Sequence, residues 1–149
     1  LALCFFCNPI HAEHAVIDLR VISPAGSAKA ASDQEPPVGG VNPRPRLKVK
    51  AGDPLVLNFV LINAYPHGRL KDVIVHYSVT HIAKSTAKAG PDKDAVLFGE
   101  VTLNFKPKSR VGSRIKFHLD QPGLYLVRIE TQNTKSDHEH FSAIEVDVQ

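Results

Sequence analysis

The sequence predicts an all-β protein folded as a sandwich of about seven strands. Three observations point there. Apolar residues recur with a period of two along most of the chain, and no stretch shows the period of an amphipathic helix. Turn-forming combinations such as Ala51-Gly52-Asp53-Pro54 and Tyr65-Pro66-His67-Gly68 punctuate the alternating runs. Asp120-Gln121-Pro122-Gly123 forms a tight turn that feeds Leu124-Tyr125, so a tyrosine stands at a strand entrance.

The elements follow in order. His14 to Ile22 alternates, with Ile17, Leu19 and Val21 on one face and Asp18 and Arg20 on the other. Ser23 to Pro43 is rich in Pro, Gly, Ala and Ser and reads as a long loop or tether. Residues 13–45 are thus expected to supply one strand and a loop, and residues 46–149 the sandwich domain. Leu55 to Asn63 is almost continuously apolar, which suits a sheet centre. Lys71 to Ile82 places Val73, Val75, Tyr77 and Val79 on one face, and a polar loop with Lys84, Lys88 and Lys93 follows. In the next strand, Ala95 to Phe105, Val101, Leu103 and Phe105 are in phase. Lys106 to Ser113 is a basic connection, and Ile115, Phe117 and Leu119 alternate beyond it. Leu124 to Gln132 and Phe141 to Val148 complete the set, separated by the polar Asn133 to His140.

Lettered A from 14, B from 55, C from 71, D from 95, E from 114, F from 124 and G from 141, the pattern over residues 46–149 resembles the immunoglobulin-like and fibronectin type III-like Greek-key sandwiches. Antibody domains place a cysteine two residues after the corner tyrosine, whereas this chain has Val127 there and no tryptophan at all. The resemblance is therefore to the disulfide-free branches, with a jelly-roll or other Greek-key sandwich as the alternative. It implies that the hydroxyl of Tyr125 bonds back to the turn backbone and that the B–C, D–E and F–G loops share one end.

Leu1-Ala2-Leu3-Cys4-Phe5-Phe6-Cys7 is an uncharged apolar run, broken by Asn8-Pro9 and followed by Ile10-His11-Ala12. This is the pattern of the apolar and cleavage regions of a secretory signal peptide over residues 1–12, with a second possible cut after Ala15. A secreted, periplasmic or cell-envelope location is the expectation. Cys4 and Cys7 have redox or metal spacing but lie inside the apolar run, so cleavage after Ala12 leaves a mature chain without cysteine. No stretch approaches the ~20 apolar residues of a spanning helix.

At 149 residues, 43% hydrophobic and 22% charged, the chain is of ordinary globular composition. No hydrolase elbow, P-loop, dinucleotide fingerprint or helical zinc motif occurs, so the expectation is a non-catalytic interaction or structural module. Two constellations remain. His138-Glu139-His140 puts two imidazoles on one side of an extended strand, roughly 6–7 Å apart. With His67 from the B–C loop they form a candidate copper or zinc site. The other is basic: Lys106, Lys108 and Arg110 in the D–E connection, sharing an end with Arg69 and Lys71 of B–C and Lys135 of F–G. Such an end suits an acidic glycan, another polyanion or an envelope protein. Nucleic acid is not expected, because the basic segments lack interleaved aromatics for base stacking.

Overall fold

A computed structural model of the chain describes residues 15–31, 44–64, 68–84, 94–133 and 140–149. It is all-β: nine strands and one turn of 3-10 helix among these residues. In chain order the strands are β1 (Ala15–Ser23), β2 (Gly26–Ala31), β3 (Arg46–Val49), β4 (Leu55–Asn63), β5 (Leu70–His81), β6 (Leu97–Phe105), β7 (Arg110–Phe117), β8 (Gly123–Gln132) and β9 (His140–Val148), with the helical turn at Ile82–Lys84. They form two sheets, in the orders β2-β1-β4-β7 and β3-β9-β8-β5-β6.

Alternation decides what lies between the sheets. In β4 the side chains of Leu55, Leu57, Phe59 and Leu61 point inward and are at most 2% exposed, while Val56, Asn58, Val60 and Ile62 on the other face are half-buried. Ile17, Leu19 and Val21 of β1 lie beside them, and Val73, Val75 and Val79 of β5 with Val127 and Ile129 of β8 close the core from the second sheet. The ring of Phe59 meets that of Tyr77 across the sandwich at 6.3 Å between centroids. Tyr77 in turn lies over Gly99 of β6, where any Cβ would overlap its ring, so this position has no room for a larger residue.

The corner tyrosine does what its position implied. Tyr125 is 4% exposed and its hydroxyl donates to the carbonyl of Gln121 at 3.0 Å, a bond that contributes about 1 kcal/mol. Gly123 at the turn has φ +147°, and a Cβ there would fall 2.6 Å from Nε2 of His81, whose ring packs edge-on against Tyr125. Only glycine fits the turn, the corner and the histidine together.

Two segments depart from the expectation. Residues 26–31, read as part of a loop, are the edge strand β2, which pairs with β1 from Asp18↔Ala31 to Ser23↔Gly26. Its small residues bury little, so it carries no hydrophobic signal, but the Ser23–Gly26 turn folds it directly back onto β1. Residues 46–49 form a second unforeseen strand, β3, which runs parallel to β9. Among the described residues β2 and β3 thus join the seven expected strands of the sandwich, and β1 and β2, ahead of residue 46, belong to the sheet of β4 and β7. β6, the strand lettered D, pairs with β5.

Candidate functional site: the basic loop end

The β4–β5, β6–β7 and β8–β9 connections leave the sandwich at one end. The pairings Leu70↔Phe105, Ile62↔Arg110 and Thr131↔His140 fix this. Arg69, Lys71, Lys106, Lys108 and Arg110 are all exposed there, so the structure gathers five of the six cations proposed from the sequence. Lys135, the sixth, lies outside the described residues. So do His67 and His138 and the side chain of His140, and with them the metal constellation. Among the described residues no group of three or more His, Cys, Asp or Glu could hold a metal ion.

Asparagines organise this end, and the charge pattern gave no hint of them. Asn63, at the last position of β4, is 1% exposed. Its Nδ2 donates to the carbonyl of Gly68 at 3.0 Å and to that of Lys106 at 3.1 Å, while its backbone N–H donates to the carbonyl of Ser109 at 3.0 Å. One buried side chain thus fastens the β4–β5 and β6–β7 connections to each other. Ser109 tightens the second of these, since its N–H and Oγ both reach the Lys106 carbonyl, at 3.2 and 2.7 Å. Asn104 Oδ1 accepts the Asp72 N–H at 3.0 Å, and Asn133 Nδ2 donates to the Asp72 carbonyl at 3.0 Å.

The backbone is bent to match. Asp72, Lys108 and Asn133 have φ of 53°, 58° and 62°, the non-glycine residues with positive φ among those described, and all three sit at this end. Asp72 marks a register shift in β5 between Leu70 and Val73, which turns Lys71 out of the regular ladder. Among the described residues Asp72 is the acid that shares this end with the five cations, and none of the five is in an ion pair. The arrangement is a fixed concentration of positive charge on pinned loops, suited to holding an anionic surface or chain.

Elsewhere the described histidines have local partners. His76 is nearly buried on the outer face of the five-stranded sheet, with Nε2 2.8 Å from Oε2 of Glu100. His81 and His118 lie at the opposite end from the basic loops, where His81 packs on Tyr125 and His118 stands 3.5 Å from Asp120. Arg128 and Glu130 pair at 3.1 Å on the outer face of β8.

No family model and no curated protein matches the chain. Solved structures are similar to it at low identity. The C-terminal domain of Wzt aligns with 91% of this chain and 74% of its own, at 11% identity and a TM-score of 0.50. A family 123 glycoside hydrolase from Clostridium perfringens aligns with 75% of this chain at 13% identity and a TM-score of 0.49. This chain covers 24% of that hydrolase, about a quarter of its length. These likenesses concern the fold of one segment and assign no activity. No helix of the described residues is long and apolar enough to cross a membrane.

Proposed function

We propose that this protein is an exported, non-catalytic module of the immunoglobulin-like kind that binds a polyanion through its basic loop end. One observation carries the reading: Arg69, Lys71, Lys106, Lys108 and Arg110 share an end, free of ion pairs among the described residues, on connections held by Asn63, Asn104 and Asn133. A flexible basic loop would lose much of its attraction to the entropy of ordering, whereas loops already pinned to one another do not. An acidic glycan of the cell envelope or its surroundings has the matching chemistry.

Binding to a sulfated or uronic-acid glycan should weaken steeply with salt, because exposed charges are screened over ~10 Å at 0.1 M. Reversal of Lys106, Lys108 and Arg110 to glutamate should reduce affinity far more than the same change at Lys84, Lys88 and Lys93. Lys84 closes the helical turn after β5, at the opposite end, and the two sets match in formal charge. Equal losses would reduce the site to net charge, and no binding by the unaltered protein would remove the proposal.

Export has its own support, in the apolar run from Leu1 to Cys7 and the small residue Ala12. Amino-terminal sequencing of the protein from its natural host should find Glu13 or Val16 first. Intact chain that retains Leu1 in the cytosol would refute it.

A further inference from the structure

β3 and β9 show how this protein joins strands of opposite character. β3 alternates cation with apolar residue, as Arg46-Leu47-Lys48-Val49, and β9 alternates acid with apolar residue, as Glu145-Val146-Asp147-Val148. In register Arg46 faces Glu145, Leu47 faces Val146, Lys48 faces Asp147 and Val49 faces Val148. The apolar members enter the core at 7% exposure or less. On the outer face both Nε and Nη2 of Arg46 donate to Oε2 of Glu145, at 2.9 and 2.6 Å.

β7 repeats the basic half of this pattern without the acidic half. It reads Arg110-Val111 and then Arg114-Ile115-Lys116-Phe117. β4 covers one of its edges, and among the described residues the other edge is free. The inward-facing Val111, Ile115 and Phe117 are only part-buried, although the β4 residues opposite them, Leu61, Leu57 and Leu55, are at most 1% exposed. On the outer face Arg110, Arg114 and Lys116 are exposed and lie opposite Ile62, Asn58 and Val56, so β4 offers them no acid.

We propose that the free edge of β7 takes an extended segment of another polypeptide in which acidic and apolar residues alternate. Such a segment continues the backbone ladder, drops its apolar side chains beside Val111, Ile115 and Phe117, and sets its acids beside the cations. The other sheet ends in β3 and β6. β3 is four residues long and its Arg46 is already held by Glu145. β6 does not compete for the segment. Its one ionic side chain is Glu100, already against His76. A second copy does not supply the segment either, because its acidic and apolar strand, β9, is paired on both edges. The proposal is independent of the loop-end reading, since Arg114 and Lys116 lie along the strand and not in the loops.

The test titrates isotopically labelled full chain with a synthetic peptide of about nine residues alternating glutamate and valine, a typical strand length. A block-ordered peptide of the same composition is the comparison. Expected are saturable shifts and slowed exchange at the β7 backbone amides, and affinity at least about tenfold weaker for the block-ordered peptide. Arg114→Glu with Lys116→Glu should lose at least about tenfold in affinity for the alternating acidic peptide and gain binding to one alternating lysine and valine. Equal binding of the two acidic peptides, or changes confined to β6 or to the basic loops, overturns the proposal. The comparison of the two peptides on the unaltered chain decides the matter even where the double variant does not fold.

Discussion

Phe59→Ala should destabilise the protein by about 3–5 kcal/mol, read as a lower urea midpoint at unchanged m. Phe59 sits at the middle of β4, opposite Leu19 of β1 on one side and Ser113 of β7 on the other, and is 2% exposed. Its ring reaches Tyr77 in the second sheet, so it spans the gap that the sandwich must fill. Hydrogen-bonded strands flank it on both sides and cannot collapse into the vacated space, so the cavity remains. Tyr77 also loses its support over Gly99. Phe98→Ala is the internal comparison: Phe98 is 41% exposed on edge strand β6, and its truncation should cost less than about 1 kcal/mol. Losses of similar size at the two positions would show that Phe59 does not join the sheets.

Asn63→Asp should cost about 3 kcal/mol near neutral pH, through a change of shape too small to matter sterically. The Nδ2 that donates to the Gly68 and Lys106 carbonyls becomes a carboxylate oxygen, which accepts only. At 1% exposure the new charge is desolvated and faces two carbonyl dipoles of the same sign. Both effects raise the folded-state pKa of the new carboxyl above its unfolded value of about 3.9. Between those two values the folded chain binds more protons than the unfolded one, so the variant loses stability as pH rises through that window. The deficit relative to the unaltered protein should therefore be largest above the folded-state pKa and shrink as pH falls toward 4. Denaturation at several pH values measures it, and a deficit independent of pH would mean that Asn63 does not act through these two donated bonds. Under the proposed reading, affinity for an acidic glycan should fall with stability, because the same side chain pins both basic connections.

The two substitutions mark what the sequence made legible and what it did not. Phe59 belongs to an apolar run whose alternate members point inward, so a strand with a buried core face could be read directly from Leu55 to Asn63. Tyr125 was legible for a different reason: the resemblance to immunoglobulin-like sandwiches implies a tyrosine at a strand entrance whose hydroxyl bonds back to the preceding turn. β2 was hidden because alanine, serine and glycine bury too little area to impose a period. Its pairing comes from the two-residue turn behind it. The sheet to which β6 belongs could not be read at all, since periodicity gives the face of a strand and not its neighbour. At the basic end the cations announced themselves by charge. Asn63, Asn104 and Asn133 did not, because they act through side chain to backbone bonds that no composition reveals. A buried asparagine closing an otherwise apolar strand just ahead of a turn is the signal that was there to be used.

The strand order β3-β9-β8-β5-β6 also constrains how the chain can be made. Arg46 and Glu145 stand 99 positions apart, and β9 lies between β3 and β8. During synthesis β1, β2 and β4 emerge early and can pair as they appear. β3 emerges among them but has nowhere to go until residues 140–148 have left the ribosome. At translation rates of about 5–20 residues per second, Leu47 and Val49 wait several seconds in water for the strand that will cover them. The cations that flank them, Arg46 and Lys48, keep that waiting segment from pairing with its like on a neighbouring nascent chain.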